Sequence, residues 1–180
     1  MKAIMISIKP KYVAKILNGE KTIEIRKTMP KCDLPIDVYI YCTKDNKHKL
    51  EYCDINEGCW SANDGGDYYN AKVVAKFTLN KVEMIRPIAL GSFLKTSTLE
   101  HREIIDKSCL TENEIRRYLT NMYGYAWHID NLEIFDKPKE LSDFKHLVKG
   151  NKLDHSIDAI NYVGGIPLTK APQSWCYVEV

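Results

Sequence analysis

The side chains best suited to chemistry in this sequence fall in one nonapeptide, Asn18-Gly-Glu-Lys-Thr-Ile-Glu-Ile-Arg26. A lysine, a carboxylate and a guanidinium stand there in the order Gly19-x-Lys21-x-x-Glu24-x-Arg26. Lys21 offers a mobile point charge for phosphate, and Arg26 offers a planar fork that suits a phosphate or a base edge. Glu24 adds an acceptor and a candidate general base. Two chemistries are open to such a trio. One is to hold an anionic ligand; the other is to cut RNA without metal, with Glu24 as base and Lys21 as electrostatic stabiliser. Attack by Lys21 itself requires a neutral amine, and a carboxylate beside it opposes that by stabilising the ammonium.

The elements that must position these groups are readable on either side. Ile4, Ile6 and Ile8 alternate with Met5 and Ser7, the period of a strand. Pro10 suits the first turn of a helix and Gly19 its C-terminal cap. Between them Tyr12, Val13, Ile16 and Leu17 make an apolar stripe, leaving Lys11, Lys15 and Asn18 toward water. A strand over Thr22–Arg26 follows, with Ile23 and Ile25 on one face and Thr22, Glu24 and Arg26 on the other. The glycine bend therefore delivers Lys21 to the entrance of a strand whose polar face can line a groove.

Charge supports an anionic partner. Residues 1–31 hold eight basic side chains against two acidic ones, so a segment of +6 sits in a chain of net +2. Lys9 belongs to this basic unit. At 180 residues, 44% hydrophobic and 28% charged, the chain is expected to fold as one domain spanning 1–180. No stretch reaches membrane-spanning length and no secretory leader is legible at the N-terminus, so a cytoplasmic setting with six reduced cysteines is expected.

Farther along, strand signals cover Ile36–Cys42 and Ala71–Ile85. The polar stretch at about 43–70, with its Asn-Asp-Gly-Gly-Asp cluster at 63–67, is an insertion: a flexible excursion or a small hairpin. Ser97-x-x-Glu100 and Thr111-x-x-Glu114 predict capping boxes opening two helices, the second ending near Gly124. A strand is expected over Tyr125–Phe135, stopping before Pro138. A short helix is expected over Ser142–Val148, then loop over 149–172, then a closing strand Trp175–Val180. The mixture argues α+β, a barrel of about six strands decorated by flanking helices.

Several other residues invite a role and a plainer reading. Gln173, Ser174 and Trp175 open the last strand, where an indole can stack on a base while an amide reads its edge; a Trp there also serves as a core or rim plug. Tyr41 and Thr43 share a strand face that can border such a groove or simply pack. Cys42, Cys53, Cys59 and His48 suggest zinc, but five residues separate Cys53 from Cys59 and no second tight pair exists, so no metal is expected. Trp127 and His128 lie in the expected strand, and His128 reads as structural. Glu112, Glu114, Arg116 and Arg117 read as a solvated helix face.

The segments Ser7-Ile-Lys-Pro-Lys-Tyr12 and Ile16-Leu-Asn-Gly-Glu-Lys-Thr-Ile-Glu-Ile-Arg26 resemble the ASCH family of the PUA-like superfamily. Val38-Tyr-Ile-Tyr-Cys-Thr43, Ala75-Lys-Phe-Thr-Leu79 and Ala171-Pro-Gln-Ser-Trp-Cys-Tyr-Val178 add to the likeness, the last resembling longer bacterial and phage members. The resemblance implies a PUA-like mixed β-barrel with a cleft between barrel and helix. It also implies RNA or a nucleotide as partner, and no cofactor. On it Lys9, Lys21, Glu24, Arg26, Tyr41, Gln173, Ser174 and Trp175 are the candidate ligand-binding residues. An enzymatic branch, the small acetylcytidine amidohydrolases, shares the Gly-x-Lys-Thr-Ile start and places its catalytic lysine on Lys21. Its pattern carries threonine where this chain has Glu24, so binding ranks above an amidohydrolase or ribonuclease using Lys21 and Glu24.

Overall fold

The computed structural model describes residues 1–53, 59–63, 69–87, 94–120, 122–149, 162–163 and 165–180. Strand β1 (Lys2–Ile8) leads into helix α1 (Pro10–Leu17), β2 (Ile23–Arg26) and β3 (Ile36–Cys42). The insertion carries a hairpin, β4 (Lys49–Cys53) with β5 (Cys59–Asn63), and the turn cluster lies outside the described residues from position 64. Next come β6 (Val73–Leu79), β7 (Val82–Pro87), the short β8 (Leu94–Lys95), α2 (His101–Ser108) and α3 (Glu112–Leu119). After them the chain forms β9 (Gly124–His128), β10 (Asp130–Lys139), β11 (Lys145–His146), β12 (Val148–Lys149), β13 (Tyr162–Val163) and β14 (Trp175–Glu179).

These strands make a mixed, sheet-dominated fold with three α-helices among the described residues. The larger sheet runs β10-β6-β3-β1-β14-β11; β1 and β3 are parallel, and the other pairs are antiparallel. A second sheet runs β2-β9-β7-β8. Parallel pairing of β1 with β3 needs a long crossover, which α1 and β2 supply.

The alternation in β1 is real, but both of its faces are buried. Ile4, Ile6 and Ile8 join Val13, Ile16 and Leu17 of α1 in one core, while Ala3 and Met5 join Tyr39, Phe144 and Val178 in a core on the other face. Each fully buried aliphatic side chain contributes roughly 1.5–3 kcal/mol, so α1 is held to the sheet by its stripe. A third core packs Ile23 and Ile25 of β2 against Ile104 of α2 and Ile115 and Leu119 of α3. The opposite face of β2 is not turned to water: Glu24 and Arg26 are buried too, facing the larger sheet.

Gly19 follows the α1 cap at φ +74, the left-handed conformation that L side chains resist, and nothing lies within 4 Å of the position a Cβ would take. Gly19→Ala is therefore expected to cost about 1 kcal/mol from backbone strain alone, read as a lowered urea midpoint with an unchanged slope.

Four expectations fail in instructive ways. The cap of α2 is Glu100, boxed with Glu103, and not Ser97. Ser97 instead donates its hydroxyl to Glu83 at 2.6 Å. The Tyr125–Phe135 strand is two strands in different sheets, divided at Ile129, and the second continues through Pro138. It can do so because β10 is an edge strand with a shifted register between Ile134 and Lys139, where a missing N–H breaks no ladder. In place of a helix over Ser142–Val148 the chain makes one 3-10 turn at Leu141–Asp143 and then strand β11, paired with β14. Lastly, within the expected 149–172 loop, Tyr162–Val163 pairs with Val148–Lys149.

Candidate ligand-binding cavity

Lys21 is 2% exposed, Arg26 6% and Glu24 9%, and the three form one buried ionic cluster. Glu24 stands between the cations, its Oε2 3.0 Å from Lys21 Nζ and its Oε1 3.1 Å from an Arg26 terminal nitrogen. Lys21 also donates to the Ser108 carbonyl at 2.7 Å. That carbonyl belongs to the last turn of α2, where unpaired carbonyls and the helix dipole favour a cation. Lys21 thus ties β2 to a helix 87 residues along the chain.

Arg26 makes the matching tie on the other side. It donates to the Ser7 carbonyl of β1 at 2.9 Å and to Ser174 Oγ, just before β14, at 3.2 Å. Its Nε is buried without a partner. A buried, unpaired N–H is costly, and this one offsets part of what the other contacts of the guanidinium contribute.

The cluster forms part of the wall of a cavity of about 670 Å³. Lys9, Lys21, Glu24, Arg26, Tyr41, Thr43 and Gln173 all line it. Ser174 lies beside it through Arg26. Trp175 stands apart: its indole nitrogen donates to Thr28 Oγ1 at 3.0 Å, and its ring meets Trp127 and Tyr177 edge-on at 5.4 and 5.5 Å. It packs in the seam between the two sheets, outside the residues that line the cavity.

Sequence reasoning missed Tyr12, Glu114, Tyr118, Lys44 and Lys170, which also line the cavity. Tyr12 passes as part of an apolar stripe, yet it is only half-buried and its ring lies 5.7 Å from Lys21 Nζ. Glu114 is the partner of Thr111 in the α3 capping box. Hydrogen bonds from the Thr111 N–H and hydroxyl, with Lys11 and Tyr12 nearby, hold its carboxyl below the ordinary range. Burial raises the Tyr41 phenol above its ordinary value, so Tyr41 enters as a neutral hydroxyl.

The cysteines and histidines go elsewhere. Cys42 is buried with its thiol 3.6 Å from Asn70 Oδ1, and burial pushes it up to about 12. Cys59 is exposed on the hairpin, and no group of three metal-binding side chains occurs among the described residues. His128 Nε2 lies 2.7 Å from the buried Glu83, outside the cavity.

The family model for the ASCH domain matches residues 6–124. Among solved structures, that of ASCH from Zymomonas mobilis superposes with a TM-score of 0.51 at 18% identity, covering 77% of this chain and 73% of that one. A point mutant of the same Zymomonas mobilis protein gives 0.52 at 15% identity, over 98% and 88%. At these identities the likeness shows a shared fold. No curated protein matches the sequence.

Proposed function

We propose that this chain, which belongs to the ASCH domain family, binds RNA or a nucleotide in the cavity walled by Lys21, Glu24 and Arg26. The observation that carries the reading is that one buried ionic cluster of two cations and a carboxylate lines a cavity of about 670 Å³. That volume falls within the ~300–1,000 Å³ typical of small-molecule sites. It suits one nucleotide or one unstacked base of a strand better than a long groove. Tyr12, Tyr41 and Tyr118 supply aromatic walls for a base.

Binding is favoured over attack by lysine. Lys21 Nζ is already engaged by Glu24 at 3.0 Å and by the Ser108 carbonyl at 2.7 Å, which commits the amine to contacts within the fold. The same reading takes the two larger sheets as halves of a PUA-like barrel joined by the β9–β10 passage, and the chain as one domain with hairpin β4–β5 inserted. No helix among the described residues is long and apolar enough to cross a membrane, and a cytoplasmic setting belongs to this proposal.

The test is affinity for short single-stranded RNA and for nucleotides across a salt series. Affinity should fall steeply with salt, because phosphate contacts release counterions. Lys21→Ala and Arg26→Ala should each weaken binding about ten-fold or more, because each removes part of the cavity wall. Circular dichroism and a urea midpoint for each variant separate lost contacts from lost fold. Affinity independent of salt and equal in both folded variants rejects the proposal. Turnover of acylated cytidine or RNA that disappears in Lys21→Ala would replace it with hydrolysis.

A further inference from the structure

The buried cluster leaves little of its charge free. Glu24 neutralises one of its two cations, and Lys21 is further engaged by α2. The unengaged charge of the cavity lies elsewhere. Lys9, from the β1–α1 junction, Lys44, just past β3, and Lys170, on the approach to β14, all line it and are all exposed. Among the described residues, none of the three has an ion-pair or hydrogen-bond partner for its ammonium. Both carboxylates of the lining, Glu24 and Glu114, already have cationic partners.

The start of α1 meets the same place. Lys9 is its N-cap and provides no side-chain acceptor, and the first turn holds no acidic residue. Pro10 has no N–H, while Tyr12 and Val13 give theirs to the Lys9 carbonyl. Lys11 is thus the first residue of the helix with an N–H to offer an anion, at the positive end of the dipole.

We infer that the ligand enters with a phosphate group at the mouth, held by Lys9, Lys44 and Lys170 over the α1 N-terminus, and its base directed inward. The inference rests on the proposed function and narrows it: the ligand is a phosphorylated nucleotide unit, and an uncharged nucleoside is a poor substitute. Three flexible ammonium groups suit phosphate, which needs charge more than a fixed fork. Their three separate chain segments meet only in the folded state.

Calorimetric titration of the full chain with the four ribonucleosides, their 5′-monophosphates and a dinucleotide of the preferred base tests it. The monophosphate should bind about ten-fold or more tighter than its nucleoside. In Lys9→Gln/Lys44→Gln/Lys170→Gln that ratio should fall toward one, and single Lys170→Glu should reduce it as well. These side chains are exposed, so the variants should fold, with circular dichroism as the check. If the dinucleotide keeps the advantage, the phosphate belongs to a strand; if only the monoester does, to a free nucleotide. A wild-type ratio near one, or a ratio unchanged in the triple variant, overturns the phosphate site and leaves the cavity reading standing. No binding of any probe by the wild type overturns both.

Discussion

Replacing Glu24 by Ala is expected to cost the fold about 3–5 kcal/mol, because it leaves two buried cations facing each other without a counter-charge. Lys21 Nζ and the Arg26 guanidinium lie 3.0 and 3.1 Å from the two oxygens of this one carboxylate. At a urea slope of about 2 kcal/mol per molar, the midpoint should fall by roughly 2 M with the slope preserved. Glu24→Gln keeps the shape and one acceptor and should fall in between. Inorganic phosphate should raise the melting temperature of Glu24→Ala more than that of the wild type, since an anion in the cavity replaces the missing charge. An unchanged urea midpoint would mean that the cluster contributes no net stability and serves the ligand alone.

The second large effect lies away from the cavity. Glu83 is buried in β7 and gathers the segment that leads to α2. It accepts from Ser97 Oγ at 2.6 Å, from the Thr98 N–H at 3.0 Å and from Thr96 Oγ1 at 3.1 Å, with His128 Nε2 at 2.7 Å and Lys81 at 3.1 Å. Burial alone would raise its pKa. The hydrogen bonds from Ser97, Thr98 and His128, with that of Lys81, outweigh it and hold the carboxyl well below the ordinary range. Glu83→Ala should therefore cost on the order of 3–5 kcal/mol, since it strands this set of donors. The pH dependence has a definite sign. A carboxyl depressed in the folded state stabilises fully above its unfolded pKa near ~4.3 and loses that contribution as pH falls toward the folded value. Wild-type stability should drop between about pH 5 and pH 3 more steeply than that of Glu83→Gln. Parallel curves for the two would show that Glu83 titrates alike in both states.

How much was legible follows from the range of the forces. The Pro10 start, the Gly19 stop, the stripe of α1 and the alternation of β1 are settled by neighbours a few positions away, and the strand-helix-strand unit stands as read. The Thr111–Glu114 box is equally local and is present. The Ser97–Glu100 pair has the same local pattern and misleads, because Ser97 is drawn off by Glu83, a partner 14 positions upstream. Pro138 reads as a strand stop only until β10 is known to be an edge.

The candidate site divides in the same way. Lys21, Glu24 and Arg26 were legible as a set, since two of them share a strand face and the third enters it after the glycine bend. Their burial was not. It depends on α2 closing over Lys21 through the Ser108 carbonyl and on β1 receiving Arg26 through the Ser7 carbonyl. Nor was it legible that Trp175 fills a seam while Tyr12 lines the cavity, because both assignments depend on how two sheets pack. Periodicity and caps are short-range interactions, so the chemical groups this protein brings and the short elements that carry them follow from neighbouring residues alone. Which of those groups share a hollow depends on long-range packing, because contacts such as that of Arg26 with Ser174, 148 positions apart, exist only once distant segments have met.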